Sequence, residues 1–301
     1  MQATTLGQDG PCIGITAYGL WRIADQTVPD AERLVGTALD HGLTLIDNAD
    51  VYGHGTGRGF GGAEALLGEL FARDPGLRRR MTLVTKGGVD LPTPYDASEG
   101  YLLRACEASL RRMRTDAVDL YLVHRPDPTA HPSETGRALD RIVRSGMAAR
   151  VGVSNYTPAQ ADALAAHMDA PLTAMQPEVS AWTQDAMTDG VLDWCARTGA
   201  TALAWSPLAG GALATGQAKS GWDETAFVRT IAALDIVADA HGATRTQVAL
   251  AFVRGHGAGP VPIVGTTRPD RIIEAAGAAS LTLTRREWFA IVEARRGERL
   301  P

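Results

Sequence analysis

Cysteine is scarce in this chain of 301 residues: Cys12, Cys106 and Cys195 lie far apart and form no C-x-x-C pair. That spacing argues against both a disulfide framework and a structural zinc site. Long apolar runs are missing too, since none reaches the roughly 20 residues that a bilayer demands. Met1 to Gly10 lacks the basic cluster and apolar core of a secretory leader. These absences together lead to an expectation of a cytoplasmic protein with no membrane partner. Neither sign of charge dominates: 29 basic side chains face 34 acidic ones, a formal net charge of -5. A nucleic-acid-binding surface is not expected from that balance. No Pro- or Ser-rich linker divides the chain, and no repeat is visible beyond an alternation of strands and helices. One domain over residues 1–301 follows.

What is present is an apolar content of 45% with 21% charged residues, as in a soluble globular protein. Short apolar runs alternate with amphipathic stretches. Strands are expected at Cys12–Tyr18, Leu43–Asp47, Met81–Lys86, Val118–His124, Arg150–Ser154, Leu172–Gln176, Ala202–Trp205 and Val261–Val264. Helices are expected over Ala63–Ala72, Glu99–Met113, Glu134–Arg144, Val191–Arg197 and Thr230–Ala240, from apolar residues recurring at helical spacing. Thr157-Pro-Ala-Gln160 and Thr284-Arg-Arg-Glu287 have the pattern of capping boxes, the second opening a last helix. Apolar strands without alternation are buried on both faces, as in a parallel sheet. Eight such units suit a closed barrel as well as an open doubly wound sheet.

Barrel enzymes carry their chemistry at the C-terminal ends of strands. Those ends hold Asp47, Lys86, His124, Ser154 with Asn155, Gln176 and Trp205. Tyr52 lies five residues beyond Asp47, within reach of the same rim. A single polar strand end is ordinary, because strands must exit into water. A whole series on one rim suggests a site.

Seven segments then resemble the signatures of the aldo-keto reductases, in family order along nearly the whole chain. They are Asp47-Asn-Ala-Asp-Val-Tyr52-Gly53, Val84-Thr-Lys86-Gly, Asp119-Leu-Tyr-Leu-Val-His124, Val151-Gly-Val-Ser-Asn155, Gln176, Ala204-Trp-Ser-Pro-Leu208 and Val264-Gly-Thr-Thr-Arg-Pro-Asp-Arg-Ile-Ile-Glu274. With His-Arg-Pro-Asp at 124–127 and Trp288-Phe near the C-terminus, the chain looks closest to a bacterial branch of predicted oxidoreductases. The resemblance implies a single (β/α)8 TIM barrel with an N-terminal β-hairpin and a C-terminal helix. It also implies an NADPH-dependent reductase of aldehydes and ketones, with a tetrad of Asp47, Tyr52, Lys86 and His124 and Tyr52 as general acid. The chemistry is coherent. Phenol is a poor acid, with a reference pKa of about 10, and a neighbouring ammonium is expected to lower that value. Asp47 would hold Lys86 charged, and His124 would orient the carbonyl oxygen. No metal is needed.

The same resemblance assigns NADP(H) to Ser154, Asn155, Gln176, Trp205, Ser206, Pro207, Leu208, Gly210, Gly265, Thr267, Arg268, Arg271 and Glu274. Trp205 offers a face on which a nicotinamide can stack. Thr267 is expected as the N-cap of the next helix, with Asp270 completing a capping box. Arg268 and Arg271 supply the positive charge that a 2′-phosphate wants. Trp21, His54 and Arg125 are expected as pocket walls around a small carbonyl or alcohol substrate. Gly57, Gly59 and Gly62 satisfy G-x-G-x-x-G, but they begin ten residues beyond Asp47 and are not followed by an acid at the next strand end. A loop beside Tyr52 is the better account. The alternative function is a cofactor-sensing regulatory barrel with little turnover. Neither the substrate nor the oligomeric state is legible.

Overall fold

Period two along each strand decides which side chains enter the barrel and which face the helices around it. In the computed structural model, which describes residues 2–91 and 93–301, eight strands close into a parallel barrel. These are β3 (Ala17–Gly19), β4 (Leu45–Asp47), β5 (Thr82–Gly87), β6 (Leu120–Val123), β7 (Val151–Ser154), β8 (Leu172–Gln176), β9 (Thr201–Ala204) and β10 (Val261–Val264), with β10 pairing back onto β3. Ala17, Leu45, Val84, Leu120, Leu122, Ala174, Leu203, Val261 and Ile263 pack together as the barrel interior. The outward residues, among them Tyr18, Ile46, Leu83, Tyr121, Val151, Val153 and Met175, join the larger core beneath the helices. The closed barrel, rather than the open sheet, is therefore the architecture.

The expected single strand Cys12–Tyr18 is instead two elements. β1 (Ala3–Thr5) pairs antiparallel with β2 (Cys12–Gly14), and only then does β3 enter the barrel. The break falls at Gly14, where an added Cβ would lie 1.9 Å from the Gly42 carbonyl oxygen, so glycine alone permits that close approach. Leu6 and Ile13 of this hairpin are buried in the same cluster as the first inward residues of the strands. The hairpin thus plugs the N-terminal mouth and leaves the C-terminal mouth open.

The surrounding helices are α1 (Val28–Asp40), α2 (Gly62–Arg73), α3 (Glu99–Met113), α4 (Pro132–Arg144), α5 (Pro158–Ala165), α6 (Val191–Thr198), α7 (Ala212–Thr215), α8 (Glu224–His241), α9 (Arg245–Arg254), α10 (Pro269–Gly277) and α11 (Arg285–Arg296). Two of the three expected capping boxes form, at Thr157 with Gln160 and at Thr284 with Glu287. α1, α7 and α9 are additional to the helices read from the sequence. α9 opens with a third capping box, Thr244 with Gln247, a signal that was available in the sequence. Among the described residues, no helix is long and apolar enough to cross a membrane.

Candidate active site

The inward alternation that fills the barrel with aliphatic side chains delivers polar ones at its C-terminal mouth. Leu45 is followed two residues later by Asp47, Val84 by Lys86, Leu122 by His124, Ala174 by Gln176 and Leu203 by Trp205. Tyr52 comes from the loop after β4. Lys86 is wholly buried, and its ammonium donates to Asp47 Oδ2 at 2.8 Å, to the Asn48 carbonyl at 2.8 Å and to the Tyr52 hydroxyl oxygen at 3.0 Å. All three of its protons are used. The Tyr52 hydroxyl itself reaches Asp47 Oδ2 only at 3.5 Å, a weak contact that leaves the phenolic proton available. The His124 ring meets the Tyr52 ring edge-on at 6.0 Å between centroids, and Trp21 meets it from another side at 5.2 Å.

The electrostatics qualify one expectation. Burial pushes the Tyr52 phenol up; Lys86 pulls it down and Asp47 raises it again, so the net direction is above, not below, the ordinary tyrosine value. Desolvation outweighs the ammonium in the resting site. Burial pushes the Lys86 ammonium down, but Asp47 and Tyr52 more than offset this and hold it above its ordinary value. Burial, with help from Lys86 and Arg125, drives His124 well below the usual imidazole range. The resting site therefore holds a neutral phenol, a charged lysine and a neutral imidazole.

A second hydrogen-bonded chain runs along the rim from this cluster. Gln176 Nε2 donates to Asp47 Oδ1 at 2.8 Å, and Ser154 Oγ donates to the Gln176 carbonyl at 2.9 Å. Asn155 Nδ2 donates to Ser154 Oγ at 2.7 Å, and Trp205 Nε1 donates to Asn155 Oδ1 at 2.9 Å. Trp205 is thereby fixed in plane, with the Arg125 guanidinium 5.7 Å from its ring centroid. Asn155, Ser206 and Ala209 all have left-handed backbones although none is glycine. Such strain collects where a binding surface must be shaped.

These residues line one cleft of about 940 Å³. Asp47, Tyr52 and His124 lie on it, as do Ser154, Asn155, Gln176, Trp205, Ser206, Pro207, Leu208 and Gly210. Gly265, Thr267, Arg268, Arg271 and Glu274 continue the wall, and Trp21 and Arg125 flank it. His54 does not: it is exposed on the Gly53–Gly61 loop and does not line the cleft. The expected cap at Thr267 is also corrected. α10 starts at Pro269, and the N-cap is Arg268 in an extended conformation with no side-chain capping bond. Proline at the first helical position forces the preceding residue to be extended, so the boundary falls one residue later than Thr267. Asp270, freed from the expected box, accepts two hydrogen bonds from the Arg268 guanidinium instead.

Two cations on the cleft were not anticipated. Arg22 spans it, donating to the carbonyls of Gly265 at 3.0 Å and Gly210 at 3.5 Å. Lys219, the only lysine besides Lys86, hangs over Gly210, where an added Cβ would lie 2.3 Å from its Nζ. Arg22 adjoins Trp21, which was singled out. Lys219 sits between Gly216 and Gly221, both with positive φ, in a segment that carries no strand or helix signal.

Residues 16–296 match the Aldo/keto reductase family. The chain belongs to that family. It is 45% identical over 299 residues to the 6-dehydroglucose reductase of Novosphingobium aromaticivorans, covering 98% of this chain and 96% of that one. It is 38% identical over 286 residues to a 6-dehydroglucose reductase of Agrobacterium fabrum, covering 91% of each. Oxidoreductase YdhF of Escherichia coli is 32% identical over 312 residues, with both chains covered in full. Among solved structures, the thermostable aldo-keto reductase Tm1743 in complex with the inhibitor epalrestat superposes with a TM-score of 0.82 at 28% identity, covering 98% of this chain and 100% of that one. This aldo-keto reductase is accordingly an NAD(P)H-dependent oxidoreductase, with bacterial oxidoreductases as relatives.

Proposed function

We propose that this aldo-keto reductase reduces the aldehyde or ketone of a small sugar-like substrate with NADP(H), and that Tyr52 delivers the proton. The observation that carries the reading is the Lys86 ammonium donating to the Tyr52 oxygen at 3.0 Å while the phenolic proton stays free at the cleft. A nicotinamide bound in the cleft would supply the hydride. Trp205 provides a face for its ring, and the Gln176 and Asn155 side chains offer an amide oxygen and amide protons to its carboxamide. Arg22 and Lys219 bring positive charge to the middle of the cleft, Arg268 and Arg271 to the adenosine end.

As negative charge grows on the substrate oxygen, Tyr52 gives up its proton there. Lys86 stabilises the phenolate left behind, and Asp47 keeps Lys86 charged and in place. His124 Nδ1 is buried without a partner among the described residues. Leaving a lone pair unmatched there costs less than leaving an N–H unmatched, so the imidazole proton resides on Nε2 and donates to the carbonyl oxygen. Trp21 and Arg125 form the substrate walls. The sugar-like substrate is supported by the relatives named 6-dehydroglucose reductase. The test is a panel of aldehydes, ketones and oxidised sugars, followed by loss of NADPH absorbance. Consumption with sugar aldehydes is the expected result. Tight NADPH binding with no consumption across the panel would favour a cofactor-sensing barrel instead.

A further inference from the structure

A second cavity, of about 250 Å³, lies between the start of α4 and α5 and shares no lining residue with the cleft. Its walls continue two segments of the rim outward: Pro126 and Asp127 follow His124, and Tyr156 follows Asn155. Ala130, Ala159 and Ala163 leave the space open where larger apolar side chains would close it. Two polar groups here have unspent hydrogen-bonding capacity, and both can donate. Tyr156 is only 8% accessible, yet its hydroxyl has no partner among the described residues and is not sealed from solvent. Since Tyr156 lines the cavity, that is where the hydroxyl meets solvent. Burial, with the Asp127 charge, pushes this phenol up, so it keeps its proton. Gln160 spends Oε1 on the capping box with Thr157, which leaves its Nε2 free. The other polar side chains are committed. Thr135 donates to the Ala97 carbonyl at 2.9 Å. Asp127 Oδ1 accepts from the Thr129 amide and hydroxyl, and Oδ2 from the Ala97 amide. No basic side chain offsets the Asp127 charge among the described residues.

We infer that this cavity is a second small-molecule site, for a mostly apolar molecule bearing one uncharged oxygen acceptor, such as a lactam, a cyclic ketone or a cyclic ether. An acceptor oxygen satisfies the Tyr156 O–H and the Gln160 N–H together, while the ring covers the alanines, Pro132 and Leu164. A carboxylate would offer the same acceptors but would face the Asp127 charge. An ammonium would bring more donors to a site already supplied with them, and would shed its hydration for one phenol oxygen. A cavity of about 150 Å³ already admits benzene, so this one suits a ring compound of roughly six to ten non-hydrogen atoms. Its occupant would sit behind the cleft, against the outer ends of the segments that carry His124 and Asn155. Those two are joined directly, Asn155 Nδ2 donating to the His124 carbonyl at 3.4 Å.

The probe is N-methyl-2-pyrrolidone, an uncharged lactam, titrated into the whole protein carrying methyl labels on alanine and leucine and followed by NMR. Saturable shifts led by Ala130, Ala163 and Leu164 are expected, with a dissociation constant on the order of 1 mM. Tyr156→Phe removes a hydroxyl that holds nothing else in the fold, and should weaken the lactam by about threefold or more. Ala163→Met fills the space and should abolish the shifts at Ala130 and Leu164. N-methylpyrrolidinium and cyclopentanecarboxylate, similar in size but charged, should each bind at least about threefold more weakly than the lactam. The inference is overturned if these methyls show no saturable shift, or if Leu208 and Ala212 of the cleft lead the response. It is equally overturned if Tyr156→Phe or Ala163→Met binds like the native chain, or if either ion binds as tightly as the lactam.

Discussion

Gln176 and Lys86 divide one carboxylate between them: Gln176 Nε2 holds Asp47 Oδ1 at 2.8 Å, and Lys86 Nζ holds Oδ2 at the same distance. A residue proposed to touch the cofactor is thus bonded directly to the residue proposed to anchor the tetrad, across 129 positions of sequence. Gln176→Leu would leave Oδ1 buried and unpaired, at a cost of about 1–3 kcal/mol. A melting temperature lowered by a few degrees is expected, together with weaker nucleotide binding by fluorescence titration. If both are unchanged, the amide does not support the site.

Tyr52→Phe keeps the ring that packs against Trp21 and His124 and removes the hydroxyl, and with it the proton and the acceptor of one Lys86 hydrogen bond. The reduction rate is expected to fall by ~10²–10⁴, with nucleotide affinity close to native. Lys86→Met is the contrasting variant. It strands Asp47 as a buried charge, so stability should fall by roughly 3–5 kcal/mol along with activity. A Tyr52→Phe enzyme that turned over normally would remove the phenol from the mechanism.

The pH dependence follows from the directions of the shifts. Tyr52 lies above its ordinary value and so remains protonated throughout the neutral range. His124 lies well below the imidazole range and so remains neutral there. The rate of reduction should be level between about pH 6 and 9 and decline only as the phenol ionises at higher pH. An inflection near 6.5 that disappears in His124→Ala would show that His124 titrates after all.

Asp50 is a buried acid outside the tetrad, with both carboxylate oxygens unpaired among the described residues. Burial and the neighbouring Glu64 raise it well above the usual carboxylate range. The folded chain therefore keeps a proton that the unfolded chain releases, and stability declines as pH rises from about 4 towards the raised value. Asp50→Asn removes that dependence. It should melt higher than the native protein at pH 7, with the advantage shrinking at pH 4. An equal melting difference at both values would contradict the assignment.

How far the sequence could be read depended on whether a local rule or a long-range contact decided the outcome. The clustering of Asp47, Lys86 and His124 at one mouth was legible because β-strand alternation is a local rule: two residues past an inward aliphatic, the next inward side chain lies at the mouth, whereas Tyr52, in the loop after β4, was singled out through the family resemblance. The capping boxes at Thr157 and Thr284 were legible for the same reason. At Thr267 two local rules competed, and the proline prevailed over the threonine. The bend at Gly14 depends on the carbonyl of Gly42, which no window around residue 14 contains. Arg22 finds its partners at Gly210 and Gly265, far along the chain, so nothing in its neighbourhood announced it. The net upward shift of Tyr52 required knowing how deeply it is buried, which the order of residues does not state.

Arginine supplies nearly all the positive charge of this protein, and its two lysines both belong to the cleft, Lys86 sealed and Lys219 exposed. Lysine amines are therefore concentrated where the nucleotide is expected. A mild amine-directed reagent would meet one accessible lysine, and tethering a dye there would turn the catalyst into an optical reporter of its own occupancy without any engineered cysteine.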